Sequence, residues 1–416
     1  MYLPVIIFVL VVCAFIVDTP KDIFSGYLDI LTSKSLLISD YITIGGLGAT
    51  LFNAATVLTL NLVILKLLDL RLSGILFAAI MMNFGYAFYG KNIINVLPLY
   101  LGVFIYSVVN KIHFKNLILV LLFSSGIAPL VSYTAFGINS LELYYSIPLA
   151  ILLGTLAGFI LPSCASHTMK FHQGYNLFNT GFAIGVISFI FYGILYAFGI
   201  APVSIKTNDI DVSKHSVLLI LVSAMIVMYV VMALVCDKHV FKKLIPLNKR
   251  SGRLISDFER DFGVDTVILN TAMILTLELA FILIFKIKLN GAILGTMLAV
   301  AGFAGSGMHI KNTTPIMLGA LVMIICKELV LGTNFSMIFI QDNTPLVISI
   351  LFALCLAPIA GRYGVIAGIL AGAMHVVLVP LCMELHGGLN LYNNGFAAGF
   401  VACVMIALIE ALKEEE

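Results

Sequence analysis

Two twelve-residue stretches carry the polar groups most able to handle a solute: GYNLFNTGFAIG at 174–185 and GLNLYNNGFAAG at 388–399. They hold Asn176 and Asn179, and Asn390, Asn393 and Asn394, each preceded by a histidine, His172 or His386. On a helix, positions three or four apart share a face, and an amide in hydrocarbon needs a partner. The asparagines therefore read either as a pore-lining ladder or as hydrogen-bonding glue between helices. Gly181, Gly185, Gly395 and Gly399 permit a close helix contact or an open lumen beside them.

A second group follows two glycine-rich ends, GYAFYG at 85–90 and GFAGSG at 302–307, which are poor helix interiors. After them come Lys91-Asn-Ile-Ile-Asn-Val-Leu-Pro98 and Met308-His-Ile-Lys-Asn-Thr-Thr-Pro315. Asn95 and Asn312 read as N-caps, with Pro98 and Pro315 in the first helical turn. Free N–H groups there attract anionic or carbonyl oxygens. Lys91, His309 and Lys311 add positive charge, and Thr313 adds a hydroxyl. The alternative is an ordinary pair of surface loops whose Asn and Pro only cap helices.

Asn53 and Asn270 lie inside apolar segments, with Asn61 and Glu278 two turns further on. A carboxylate at membrane depth is costly and usually faces a cavity or pathway. Glu278 is thus the candidate carrier of a coupling proton or sodium ion, unless Lys286 and Lys288 mark an interface beside it. His375, on an apolar helix, reads as a buried hydrogen-bonded residue. There is no GK[ST] loop, no HExxH and no metal-ligand spacing. The cysteines sit singly in or beside apolar segments and read as small buried hydrophobes. No enzyme, cofactor or metal is expected, and transport would be passive or ion-driven.

The elements that must position these residues are membrane helices. The 416 residues are 61% hydrophobic and 11% charged, against about 25% charged in soluble domains, and the mean hydropathy is +1.11. A water-soluble fold is excluded, and the bilayer is the first partner. The basic residues form no aromatic-interleaved stripe, so nucleic acid is not one.

The chain is also a duplication. LISDY at 37–41 recurs as LISDF at 254–258, and at the same offset of 217 Asn53 matches Asn270, Gly85 Gly302, Asn95 Asn312 and Pro98 Pro315. Later the offset becomes 214, where Gly154xxxGly158 matches Gly368xxxGly372 and the two twelve-residue stretches align. The reading is an all-α polytopic bundle of two repeats, 1–205 and 206–416, each of seven apolar segments. An odd number inverts one copy relative to the other. The basic linker 237–261 reads as cytoplasmic, as do both termini. Lys286 and Lys288 fall outside, against the rule. Segments three and four of each copy could instead be a re-entrant pair, giving fewer spans, and the GxxxG pairs could support a homo-oligomer.

The paired twelve-residue motifs, the duplicated LISD and the two Asn-xx-Pro stretches resemble a bacterial membrane family defined as a domain of unknown function, number 1576; the likeness covers essentially the whole chain and imports no activity. A fainter likeness is to urea channels, which are also inverted duplications with Gly-Tyr-Asn motifs. Gly174-Tyr175-Asn176 is similar, whereas Gly388-Leu389-Asn390 departs from it. Seven plus seven inverted segments also look like the anion and nucleobase transporter fold. The expected function is movement of a small polar or anionic solute across the cell membrane, proton- or sodium-coupled, through a site between the repeats. The alternative is a passive, urea-channel-like pore for a small neutral solute.

Overall fold

The computed structural model describes residues 3–202, 210–330, 338–341 and 343–414. The expected repeat boundary at 205/206 lies outside the described residues. Every described element is helical. The first half contains α1 (Leu3–Val17), α2 (Pro20–Thr32), α3 (Tyr41–Leu67), α4 (Gly74–Tyr86), α5 (Ile93–Val109), α6 (Ile118–Ser124), α7 (Ala128–Phe136), α8 (Leu143–His172) and α9 (Asn179–Ala197). The second contains α10 (His215–Cys236), α11 (Val240–Leu247), α12 (Phe258–Phe262), α13 (Val264–Ile284), α14 (Gly291–Ala301), α15 (Ile310–Val330), α16 (Ile338–Gln341), α17 (Thr344–Phe352), α18 (Ala357–Tyr363), α19 (Val365–His386) and α20 (Asn393–Glu414).

All fourteen apolar segments fold as helices, but among the described residues ten stretches are long and apolar enough to cross a membrane. These are the helices of a multi-pass membrane protein. Gly74–Tyr86, Ile93–Val109 and Gly291–Gly305 are shorter, and α1 meets α2 at a bend of 114°. Of the two expectations, fourteen spans or fewer with a re-entrant pair, the short helices favour the second. The physical reason is that the glycine-rich ends stop α4 and α14 after three turns or so.

The two short helices lie in the centre of the molecule and pack on one another. A Cβ on Gly85 would sit 2.1 Å from the Gly295 carbonyl oxygen, and one on Gly295 would sit 2.2 Å from that of Gly85. Further along, Gly74 lies against Gly305 and Met81 against Gly302. As α4 advances α14 therefore retreats, and these equivalent helices cross antiparallel with backbone touching backbone. Gly85→Val is expected to cost more than about 3 kcal/mol, because main chain cannot retreat as a side chain can. Gly193→Val, where nothing lies within 4 Å of the new carbon, should change stability by less than about 0.5 kcal/mol. Unfolding of the purified protein by dodecyl sulfate, followed by circular dichroism, measures both; equal effects would contradict this account of the crossing.

Around this pair the halves use the same joints. The Gly158 backbone presses on Leu99 of α5, and that of Gly372 on Ile316 of α15; Pro98 and Pro315 meet Gly154 and Gly368. The GxxxG glycines make close backbone contacts inside each half. A further likeness escaped the sequence reading. Ile127-Ala-Pro-Leu130 and Leu356-Ala-Pro-Ile359 recur at an offset of 229. They open α7 and α18 after a 3₁₀ turn that breaks an otherwise buried helix.

The basic linker is tied down on its own side. Lys243 Nζ reaches Asp265 at 2.7 Å and Asp237 at 2.9 Å. Hydrogen bonds donated to Asp265 and Asp237 push the Lys243 ammonium above its ordinary value, and the His239 main-chain N–H, ahead of Lys243, holds the Asp237 carboxyl below its own.

Candidate functional site at the meeting of the two loops

The helix before each asparagine stretch ends in a pair of left-handed residues: Gln173 and Gly174 at φ 51° and 83°, Gly387 and Gly388 at φ 54° and 81°. The backbone therefore leaves α8 and α19 before Asn176 and Asn390 and re-enters a helix only at Asn179 and Asn393. This corrects the ladder on one helix face, because the first asparagine of each set lies in an irregular loop. There Asn176 Oδ1 accepts from Phe178 N at 2.9 Å while its Nδ2 donates to the Gly395 carbonyl at 2.8 Å. Asn390 Oδ1 accepts from Tyr392 N at 2.7 Å and its Nδ2 faces His386 Nδ1 at 3.5 Å. His386 donates to the Gly185 carbonyl at 3.0 Å.

Two loops, one from each half, meet where α9 and α20 cross. A Cβ on Gly181 would lie 3.3 Å from Gly395 Cα. Just beyond, the ring of Phe396 fills the notch at Gly185 and that of Phe182 fills the notch at Gly399. The two rings stack with centroids 5.4 Å apart.

A cavity lies on each side of this contact. One, of about 460 Å³, is lined by Leu37, Ile38, Ser349, Met383, Asn393 and Asn394 among others. The other, of about 180 Å³, is lined by Leu254, Ile255, Phe178, Asn179, Thr180 and Tyr392 among others. Leu37-Ile38 and Leu254-Ile255 are equivalent at offset 217, and Asn393-Asn394 and Asn179-Thr180 at offset 214. The wall between them is thin, since Tyr392 faces the small cavity and its neighbours Asn393 and Asn394 face the large one. Asn394 Oδ1 is buried with no hydrogen-bond partner among the described residues. The main-chain carbonyl of Asn394 accepts from His375 Nε2 at 3.2 Å, as expected of a buried, bonded histidine.

Most of the other expected site residues are buried as well, yet they serve the frame. Asn53 Nδ2 donates to the carbonyls of Ala87 and Lys91, and Asn270 Nδ2 to those of Ala304 and Met308. These amides pin the breaks that follow α4 and α14. The N-cap of α5 is Asn92, with Asn95 closing a capping box, and His309 stands in the equivalent place before Asn312. The assignment of Asn95 and Asn312 as N-caps is corrected by three residues, because each points its carbonyl oxygen back at the cap's N–H. His309 donates to the Arg250 carbonyl, Thr313 back-bonds to His309, and Lys311 is exposed. Asn179 accepts from Thr168 and His172, and Asn393 from Asn394. Of the asparagines named from sequence, Asn179, Asn393 and Asn394 line the cavities. Glu278 is fully buried, with neither carboxylate oxygen hydrogen-bonded among the described residues.

Sequence reasoning missed how the LISD motif works. Asp40 Oδ1 accepts from Ile42 N and Thr43 N, capping its own α3, while Oδ2 accepts from Ala292 N at the start of α14. Asp257 Oδ1 accepts from Arg260 N and from Gly74 N at the start of α4. Each half thus caps the other's short central helix. The same segments bond to the opposite loops, Leu37 N to the Gly388 carbonyl and Leu254 N to that of Gly174.

Crossed short helices, exchanged caps and two loops meeting between cavities define a polytopic helical membrane protein built around broken helices. Residues 19–197 and 236–411 match the family described as "Protein of unknown function (DUF1576)", and the chain belongs to it. The matched stretches begin 217 residues apart and end 214 apart, the offsets seen within the sequence. No curated protein and no solved structure matches the chain.

Proposed function

We propose that this protein is a transporter of the cell membrane and that the two cavities are the opposite approaches to one solute path. In this reading the halves are inverted with respect to each other, the two termini are cytoplasmic, and the meeting of the loops is the closed point of the path. The observation that carries it is the pair of equivalent cavities parted by the thickness of Tyr392 to Asn394. Inverted-repeat transporters place their sites where broken helices of the two copies meet, and the antiparallel crossing of α4 with α14 supports inversion for that pair. The scarcity of charge in the cavity linings, where the smaller has none, also supports a second reading, a passive channel for a small neutral solute.

Proteoliposomes separate the two. Uptake of acetamide and acetate by the reconstituted protein is expected to exceed that of empty vesicles, and Asn394→Leu, which keeps nearly the same shape but replaces the unpartnered amide oxygen with an apolar group, is expected to lower it about tenfold. A rate raised by a proton or sodium gradient selects the transporter; a gradient-blind rate selects the channel. No uptake above empty vesicles, or uptake unaltered by Asn394→Leu, would remove the path from this place.

A further inference from the structure

The Lys91 side chain has none of the structural roles described above. It follows the break after α4, and its side chain is completely buried, which is rare for lysine. Its Nζ donates to Asn83 Oδ1 at 3.2 Å and to the Tyr392 hydroxyl. It also stands 5.2 Å and 4.8 Å from the ring centroids of Tyr86 and Tyr392. No carboxylate lies within ion-pairing distance among the described residues.

Its surroundings hold it in place. Asn83 sits in the last turn of α4, and its Nδ2 donates to the Ala79 and Leu122 carbonyls while Oδ1 also accepts from Ser125. The amide therefore cannot turn away from the lysine. Asn92, the next residue, caps α5, so the positive end of that helix adds to the same potential. The second half holds nothing comparable, since Met308 and Val300 occupy the places of Lys91 and Asn83. An ammonium has three donors and only two neutral acceptors here. In a low-dielectric interior such a site gains most from a negative charge.

We propose that Lys91 with Tyr392 is an anion-recognition site, and that the solute is a small monoanion of a size the 180 Å³ cavity holds. Tyr392 connects the two, because it is one of the residues lining that cavity and its hydroxyl takes the Lys91 hydrogen bond. A carboxylate or similar oxyanion arriving in the cavity meets the Tyr392 hydroxyl first, backed by the ammonium and two aromatic faces. The inference rests on the pathway reading, which makes the cavity a place that solute reaches, and it narrows that reading to anions.

Acetate and acetamide have nearly the same shape and differ in charge, so they test it directly. With the purified full chain in detergent at constant ionic strength, sodium acetate is expected to raise the melting temperature along a saturating curve, and acetamide is not. Lys91→Met, which places there the residue of the second half, is expected to abolish the acetate effect without lowering the melting temperature in buffer alone. Should that variant not fold, Tyr392→Phe keeps the ring and is expected to weaken the apparent acetate affinity about tenfold. Equal curves for the two probes, or an acetate effect intact in Lys91→Met or Tyr392→Phe, overturns the anion site. Vesicle uptake distinguishes the two failures. Flux blind to charge and to Lys91 sinks this inference and leaves the pathway; acetate binding that needs Lys91, without flux of either probe, sinks the pathway and leaves the site.

Discussion

Asp40→Ala is expected to destabilise the protein by roughly 3 kcal/mol or more, and Asp257→Ala by about 1 kcal/mol, although the two residues occupy the same place in the duplicated motif. Asp40 is 3% exposed and uses both oxygens, on two helix starts. Removing it strands three main-chain N–H groups, two of them on Ile42 and Ala292, which are themselves buried. Hydrogen bonds to a charged acceptor contribute about 1.5–3 kcal/mol each, and stranded buried donors cost about as much. Asp257 is half-buried, engages through one oxygen at 3.0 and 3.2 Å, and its donor on Arg260 belongs to an exposed residue that water can serve. Asp40→Asn keeps a neutral acceptor and should fall between wild type and alanine. Circular dichroism melts of the three purified variants test the order; equal losses, or a greater loss at Asp257, would contradict the exchanged-cap account.

The duplication that makes this comparison possible was legible in the sequence because Gly, Asn and Pro are not interchangeable in membrane helices as Leu, Ile and Val are. The 217 and 214 offsets led directly to the crossed helices, to the breaks pinned by Asn53 and Asn270, and to the loops around Asn176 and Asn390. What spacing could not show was where the helices stop. Three residues make a helix face only if the helix continues, and Gln173-Gly174 ends it with a non-glycine residue in the left-handed region, an ending hard to foresee. The Gly387-Gly388 pair was the better stop signal. The role of Asp40 was hidden for a different reason. Its partner on Ala292 lies 252 residues away, and a cap given to another helix leaves no local pattern. In the sequence Lys91 is legible only as charge beside a helix start, because its partners Asn83 and Tyr392 are brought to it by the folded chain.

Glu278 raises the question of why an expensive group is kept, and two measurements with opposite signs answer it. The residue is fully buried in α13, and neither oxygen has a hydrogen-bond partner among the described residues. The equivalent place in the first half holds Asn61, which accepts from Tyr100 at 3.3 Å, and Met317 stands where a second such tyrosine would be. A carboxyl without partners costs about 1–3 kcal/mol of stability. Glu278→Leu is therefore expected to stabilise the purified protein by about that amount in dodecyl sulfate titration. If the carboxyl carries the coupling ion, the same variant abolishes the acceleration of uptake by a proton or sodium gradient while gradient-free exchange of solute persists. Glu278→Gln keeps the shape and should lose the gradient response equally, since an amide neither releases a proton nor pairs with a cation as a carboxylate does. A variant more stable than wild type with its gradient response intact would deny Glu278 the coupling role and leave the cavities untouched. One that is less stable would mean the carboxyl is satisfied in the membrane-embedded protein. Gain in stability with loss of coupling is the signature of a residue retained at a thermodynamic cost for what it carries.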